Sequence, residues 1–98
     1  MTSDTAAIDV RHEPERNRFA ATVDGVEAVL DYRRHGDVIS LFHTGVPEQI
    51  GGRGVAAALV RTALDHARAE GLKVDPACSY VAAYFRKHPQ DADLLATT

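Results

Sequence analysis

The sequence has a single cysteine, no tryptophan and no excess of positive charge. Two of these shortages close off classes of function. One thiol cannot close an intramolecular disulfide, nor supply a zinc site built from several sulfur ligands. Eleven basic residues against fourteen acidic ones leave a formal charge of -3, so there is no basic footprint for nucleic acid or an anionic membrane. No apolar run approaches the ~18–20 residues of a membrane span. Met1 to Arg16 carries Asp4, Asp9, Glu13 and Glu15 and builds no apolar core. No signal peptide is therefore expected, and a cytoplasmic, reducing location is. His12, His35 and His66 are not spaced as a metal cluster, and no metal is expected.

What is present is enough for one compact domain. The chain has 98 residues, and 45% hydrophobic against 26% charged is a globular balance that excludes global disorder. Residues 1–7 are expected to be a flexible N-terminus, and residues 8–95 a single domain. A monomer is compatible with this composition.

The first half has the period of strands. Ile8 to Glu13 is short and β-permissive, and Glu13-Pro14-Glu15-Arg16-Asn17 breaks it. Phe19, Ala21 and Val23 alternate with Arg18, Ala20 and Thr22. Asp24-Gly25 then tolerates the positive φ angles of a tight hairpin turn. Ala28, Leu30 and Tyr32 alternate with Glu27, Val29 and Asp31, a half-buried return strand. Arg34-His35-Gly36-Asp37 reads as the next turn. Val38 to Thr44 is the most apolar strand and is expected to be the most central. These segments make an antiparallel meander.

The second half has the period of helices. Val55, Ala56, Leu59, Val60, Ala63, Leu64 and Ala67 recur at spacings of three and four between Arg53 and Glu70, and Gly71 stops that helix. Leu72, Val74, Pro76 and Cys78 line one face of a short strand. Its helical connection to residues 38–44 requires the two strands to be parallel. Tyr80 to His88 reads as a second helix, capped by Ser79 and ended by Pro89. Leu94 and Leu95 are expected to dock on the core. The fold class is mixed α+β.

Between strand and helix lies Gln49-Ile50-Gly51-Gly52-Arg53-Gly54-Val55-Ala56. Three glycines in four positions weaken either element by ~1 kcal/mol each, so their use is geometric: positive φ, or a close approach to backbone. At a helix start the first N–H groups lack intrahelical partners and face outward with the positive end of the dipole. Missing Cβ atoms let an oxyanion reach them, which makes a phosphate cradle. The bland alternative is a tight connection without a ligand. No Gly-Lys-Ser/Thr follows, so a nucleoside-triphosphate loop is excluded. Gly52-x-Gly54-x-x-Ala57 with Asp75 also fits a dinucleotide fingerprint. That motif follows its strand directly, whereas Gly45 to Gly51 intervenes here, and too few residues follow Gly54 to complete a doubly wound sheet.

Gln49-x-x-Gly52-x-Gly54 resembles the Q/R-x-x-G-x-G/A signature of the GNAT acetyltransferase superfamily. More narrowly, the chain is similar to its small single-domain members. The residues that carry this likeness include His43-Thr44-Gly45-Val46-Pro47, Gly52-Arg53-Gly54, Gly71-Leu72-Lys73-Val74, Pro76, Cys78, Tyr80-Val81 and His88-Pro89. The resemblance implies a GNAT-like fold: a meander, then a parallel strand–helix–strand unit with splayed strands, then a C-terminal helix. It implies acetyl-CoA or coenzyme A as cosubstrate and an amine acceptor. Backbone from Phe42 through Thr44 to Val46 would bond the pantetheine arm. Ile50, Gly51, Gly52, Arg53, Gly54 and Val55 would hold the pyrophosphate, with Arg53, Arg86 and Lys87 as nearby cations. A solvated helix end is the bland account of Arg86-Lys87.

Acetyl transfer needs a neutral amine, a stabilised oxyanion and a proton for the leaving thiolate. Spare N–H groups near Val46 suit the oxyanion. His43 is the candidate base, with Glu48 acting through water as the alternative, although His43 shares a strand face with Ile39 and Leu41. Tyr84 lies on the helix where many GNAT enzymes place a thiolate-protonating tyrosine. It departs from their N-x-x-A-x-x-x-Y pattern, and core packing is its other use. The small family carries a cysteine at the position of Cys78, before a helix N-terminus that favours thiolate. Direct attack, a covalent acetyl-cysteine route and an inert buried thiol are all open for it. The leading reading is an N-acetyltransferase; the alternative is a coenzyme A-binding module without efficient turnover.

Overall fold

A computed structural model describes residues 8–96, and the flexible N-terminus expected at residues 1–7 lies outside the described residues. Strands β1 (Val10–Glu13), β2 (Arg18–Val23), β3 (Val26–His35) and β4 (Val38–Gly45) form an antiparallel meander. Helix α1 (Val55–Glu70) crosses to β5 (Lys73–Asp75), which pairs parallel with β4. Helix α2 (Ser79–Lys87) and a 3-10 segment, Pro89–Leu94, follow. The sheet order is β1-β2-β3-β4-β5. The fold is the mixed α+β arrangement that the two hydrophobic periods imply.

Turn chemistry fixes the meander's register. Asp24 and Gly25 sit at φ 51° and 75°, the pair of left-handed residues a two-residue hairpin needs. The strand-to-strand turn after β3 is tighter than Arg34–Asp37: Arg34 and His35 still pair, with Ile39 and Val38, and only Gly36-Asp37 turns. Nor is β4 the most central strand. β3 holds the middle and β4 adjoins β5, because β4 must remain next to the strand that arrives through α1.

The core lies on one face of the sheet, beneath α1, which touches all five strands. Phe19, Leu30, Ile39 and Leu41 from the sheet meet Leu59, Val60 and Leu64 of α1 and Val81 of α2, all fully buried. Gly71 closes α1 at φ 71°, and the Leu72 N–H donates back to the Ala67 carbonyl at 2.8 Å. The strand expected over residues 72–78 pairs only at Lys73–Asp75, since Pro76 has no N–H to continue the ladder. The tail then covers the outer edge of β5: the Ala96 N–H donates to the Val74 carbonyl, and Leu94 is buried. Buried Asp91 accepts from both Arg61 (2.8 and 3.2 Å) and Arg68 (3.2 Å), tying the tail to α1. The other face of the sheet carries charges, with Arg11 and Arg18 paired to Glu13 and Glu27. Among the described residues no helix is long and apolar enough to cross a membrane, and no His/Cys/Asp/Glu group is placed to hold a metal.

Candidate functional site

The glycine turn begins with a 3-10 turn, Glu48–Ile50, pinned by the fully buried Ile50. Gly52 and Gly54 then adopt φ 78° and 80°, and a Cβ at either would meet nothing within 4 Å. The glycines are therefore required by backbone conformation, and the space beside them is open to a ligand. Gly51, at φ -66° and ψ 152°, has a backbone any residue adopts, so geometry gives it no such reason. The first bond of α1 runs from the Ala58 N–H to the Gly54 carbonyl. Among the described residues no acceptor takes the N–H groups of Gly52, Arg53, Gly54, Val55, Ala56 and Ala57. Six successive donors at a helix start, exposed through Gly54, make an oxyanion cradle. The donor set fits a diphosphate. Arg53 within it is paired to Asp24 of the β2–β3 turn, a contact between two exposed side chains.

Strand β4 is not regular. Leu41 pairs with Tyr32 and His43 with Asp31, so Phe42 is an extra residue, a β-bulge. One inserted residue reverses every side chain beyond it. His43, expected on the face of Ile39 and Leu41, instead lies on the outer face opposite Asp31, exposed. Phe42 is exposed too, with the Arg33 guanidinium 4.5 Å from its ring centre. Thr44, paired with Leu30, takes the helix side. Beyond Gly45 the Val46 N–H has no backbone acceptor among the described residues.

β4 and β5 part company after three paired positions, Val38 to Ser40 with Lys73 to Asp75. The Cys78 N–H still donates to the Leu41 carbonyl at 2.9 Å, and the Cys78 sulfur lies 3.4 Å from Thr44 Oγ1. Cys78, not Ser79, is the N-cap of α2: the Ala82 N–H already bonds the Cys78 carbonyl, which puts Ser79 inside the first turn. Burial pushes the thiol up, but the Thr44 hydroxyl and the amides of Val81, Tyr80 and Thr44 outweigh it, leaving the pKa below the ordinary thiol value. The sulfur makes no geometric capping bond. The helix amides act on it as the positive end of the dipole.

A cleft of about 160 Å³ opens between the first turn of α1 and one stripe of α2, lined by Ala57, Tyr80, Ala83, Tyr84, Lys87 and His88. Tyr84 is buried, with its ring stacked on His88 at 3.9 Å, and the His88 Nδ1–H donates to the Tyr84 carbonyl at 2.9 Å. Lys87 faces the cleft, whereas Arg86, exposed, is absent from its lining. Attention to cations alone passes over Tyr80 and His88. Their spacing was the available signal, since Tyr80, Tyr84 and His88 at i, i+4 and i+8 fall on one helical stripe. Glu48 is exposed at the start of the 3-10 turn.

Residues 18–94 match the model of a family described as GCN5-related N-acetyl-transferase. Human Protein NATD1 is 36% identical over 85 residues, covering 84% of this chain and 75% of that one. Its Xenopus tropicalis counterpart is 34% identical over 88 residues, covering 87% and 81%. A GCN5-like protein from Staphylococcus aureus, solved in solution by NMR, shares 27% identity with a TM-score of 0.73 over 92% of this chain and 89% of that one.

Proposed function

We propose that this chain, which belongs to the GCN5-related N-acetyltransferase family, binds acetyl-CoA and catalyses acetyl transfer to an amine. The observation that carries the reading is the run of six amides from Gly52 to Ala57 without an acceptor among the described residues, with open space where Cβ atoms would stand at Gly52 and Gly54. When bound, acetyl-CoA supplies an acetyl group already activated as a thioester.

The chain's own residues divide the work. Ile50 anchors the turn, the Gly51 N–H is taken by the Glu48 carbonyl, and Gly52, Arg53, Gly54 and Val55 present backbone to the diphosphate. Arg53, Arg86 and Lys87 add cations, each worth ~0.3–1 kcal/mol when exposed. In this reading the backbone of Phe42, Thr44 and Val46 takes the pantetheine arm where β4 departs from β5, and the Val46 N–H, without a backbone acceptor among the described residues, is the spare donor for a developing oxyanion. His43 stands on the outer, uncovered face of the sheet, where it accepts a proton from an amine arriving on that side. Cys78 sits at the gap beside Thr44. There its sulfur either neighbours the reacting carbon or, as thiolate, would take the acetyl group from the thioester, with coenzyme A leaving as its thiolate, and then pass it to the amine. The burial and stacking of Tyr84 favour a place in the cleft wall over proton delivery.

The test is consumption of acetyl-CoA against a panel of primary amines, polyamines and lysine peptides, read as acetylated product. Product formation that requires an amine supports the transferase. Tight binding of coenzyme A with no product from any amine would leave a binding module and retire the enzyme. Mass spectrometry after incubation with acetyl-CoA alone separates the two uses of Cys78, since only the carrier route adds an acetyl group to that peptide.

A further inference from the structure

Five of the seven glycines take positive φ, and Gly45 is not among them. It is the last residue of β4, paired with Val29, at a strand position where a glycine only weakens the element relative to alanine. Conformation therefore gives no reason for it, but space does. A Cβ at Gly45 would stand 3.2 Å from His43 Nε2, 3.9 Å from His43 Cε1 and 3.5 Å from Val29 Cγ2. At Gly51, the other glycine without positive φ, a Cβ would meet only the backbone of Glu48 in its own turn. At the remaining five it would meet nothing within 4 Å. Gly45 is the one glycine whose missing side chain leaves room for another residue's ring.

The register shows how the ring comes to lie there. Beyond the Phe42 bulge, His43 and Gly45 are two residues apart on β4 and share its outer face, opposite Asp31 and Val29 of β3. The imidazole leans along the strand over Gly45, so Nε2 points towards the end of β4, which has already parted from β5. An alanine methyl at 3.2 Å from Nε2 would lie inside the ~3.5–4.0 Å of a comfortable carbon contact. The Val29 methyl group bounds the same space on the neighbouring strand, and His43 is exposed, so the ring is what yields.

We propose that Gly45 is a positioning residue, whose lack of a side chain lets the His43 imidazole lie over the end of β4 with Nε2 held for the incoming amine. This rests on the acetyl-transfer reading above, in which His43 takes the proton. Gly45 touches no reacting atom in this role and acts through the ring. A base must come within hydrogen-bond reach of its proton, so a displaced ring costs turnover and not affinity for acetyl-CoA. Since an exposed ring swings aside without moving backbone, the fold is not at stake.

A double-mutant cycle over the parent, Gly45→Ala, His43→Ala and the double variant tests this, with acetyl-CoA and the most active amine of the panel above. Gly45→Ala is expected to lower kcat about tenfold or more while the KM for acetyl-CoA stays within about twofold. Its unfolding temperature should not fall. Added to His43→Ala, the same substitution should cost no more than about a further twofold, because the ring it displaces is gone. A readout independent of turnover is the nuclear Overhauser effect between His43 Hε1 and the Gly45 α protons, expected in the parent. Undiminished kcat in Gly45→Ala, or the same tenfold loss repeated on His43→Ala, would overturn the proposal. Parent-like kcat in His43→Ala, or product formation by a parent without that Overhauser effect, would overturn it while leaving acetyl transfer intact. A parent that shows the effect but makes no product from any amine would retire the transferase, and the role of Gly45 with it.

Discussion

Thr44 Oγ1 and Cys78 Sγ lie 3.4 Å apart across the point where β4 and β5 cease to pair. The Phe42 bulge makes this contact possible, because without it His43 would occupy the helix side of β4 and Thr44 the outer face. Hydroxyl and thiol can each donate, but once the sulfur is ionised only the hydroxyl can, so the pair favours thiolate.

Thr44→Val should therefore raise the thiol pKa and slow alkylation of Cys78 by iodoacetamide near pH 7 about threefold or more. Thr44→Ser should restore the parent rate. The measurement is the alkylation rate from pH 6 to 10. A valine profile that overlays the parent would show that the helix amides alone set the thiol.

Gly54 tests the cradle from the side of its backbone. At φ 80° a β-branched residue is strained by ~1–3 kcal/mol, and its side chain would project into the space in front of the amides. Gly54→Val should weaken coenzyme A binding by ~2 kcal/mol or more, roughly thirtyfold, in protein that remains folded by circular dichroism. Parent-like affinity in such a folded variant would remove the phosphate from this turn.

How much of this could be read from the chain differs by element. The meander and α1 were legible because each repeats a period against one core: Phe19-Ala21 and Ala28-Leu30-Tyr32 at two, Leu59-Val60-Ala63-Leu64-Ala67 at three and four. The glycine turn was legible because left-handed backbone at Gly52 and Gly54 leaves a residue-type mark. The face of His43 was not. A bulge inserts a residue without any demand on its type, so Val38 to Thr44 reads as one unbroken alternation, and only the pairing with Tyr32 and Asp31 shows the slip. The cap at Cys78 was hidden for a similar reason. Ser79 is the better capping residue by chemistry, but Pro76 and the Cys78–Leu41 bond set where the helix begins.

His12 gives the fold a pH dependence away from the site. Its ring stacks on Phe19 at 4.4 Å, meets His66 at 4.5 Å, and its Nε2 lies 2.7 Å from the Tyr32 hydroxyl. Burial lowers its pKa and the charge of His66 lowers it further, against smaller upward pulls from Glu15 and Glu70. Folding thus favours the neutral ring. The contribution is complete above the unfolded value of 6.5 and is lost as pH falls through 6.5 towards the lowered native value. Urea unfolding at pH 7.5 and 5.5 should show a larger loss of stability in the parent than in His12→Gln. Equal losses would mean that His12 titrates alike in the folded and unfolded chains.

The central claim is that the unpartnered amides of the glycine turn receive the diphosphate of coenzyme A. The most direct measurement is a titration of ¹⁵N-labelled protein with coenzyme A, followed by amide proton and nitrogen shifts. Saturable changes should be largest at Gly52, Arg53, Gly54, Val55, Ala56 and Ala57, with the proton shifts moving downfield as each N–H gains an acceptor. Saturable shifts centred elsewhere with these six unmoved, or no saturable shifts at all, would contradict it.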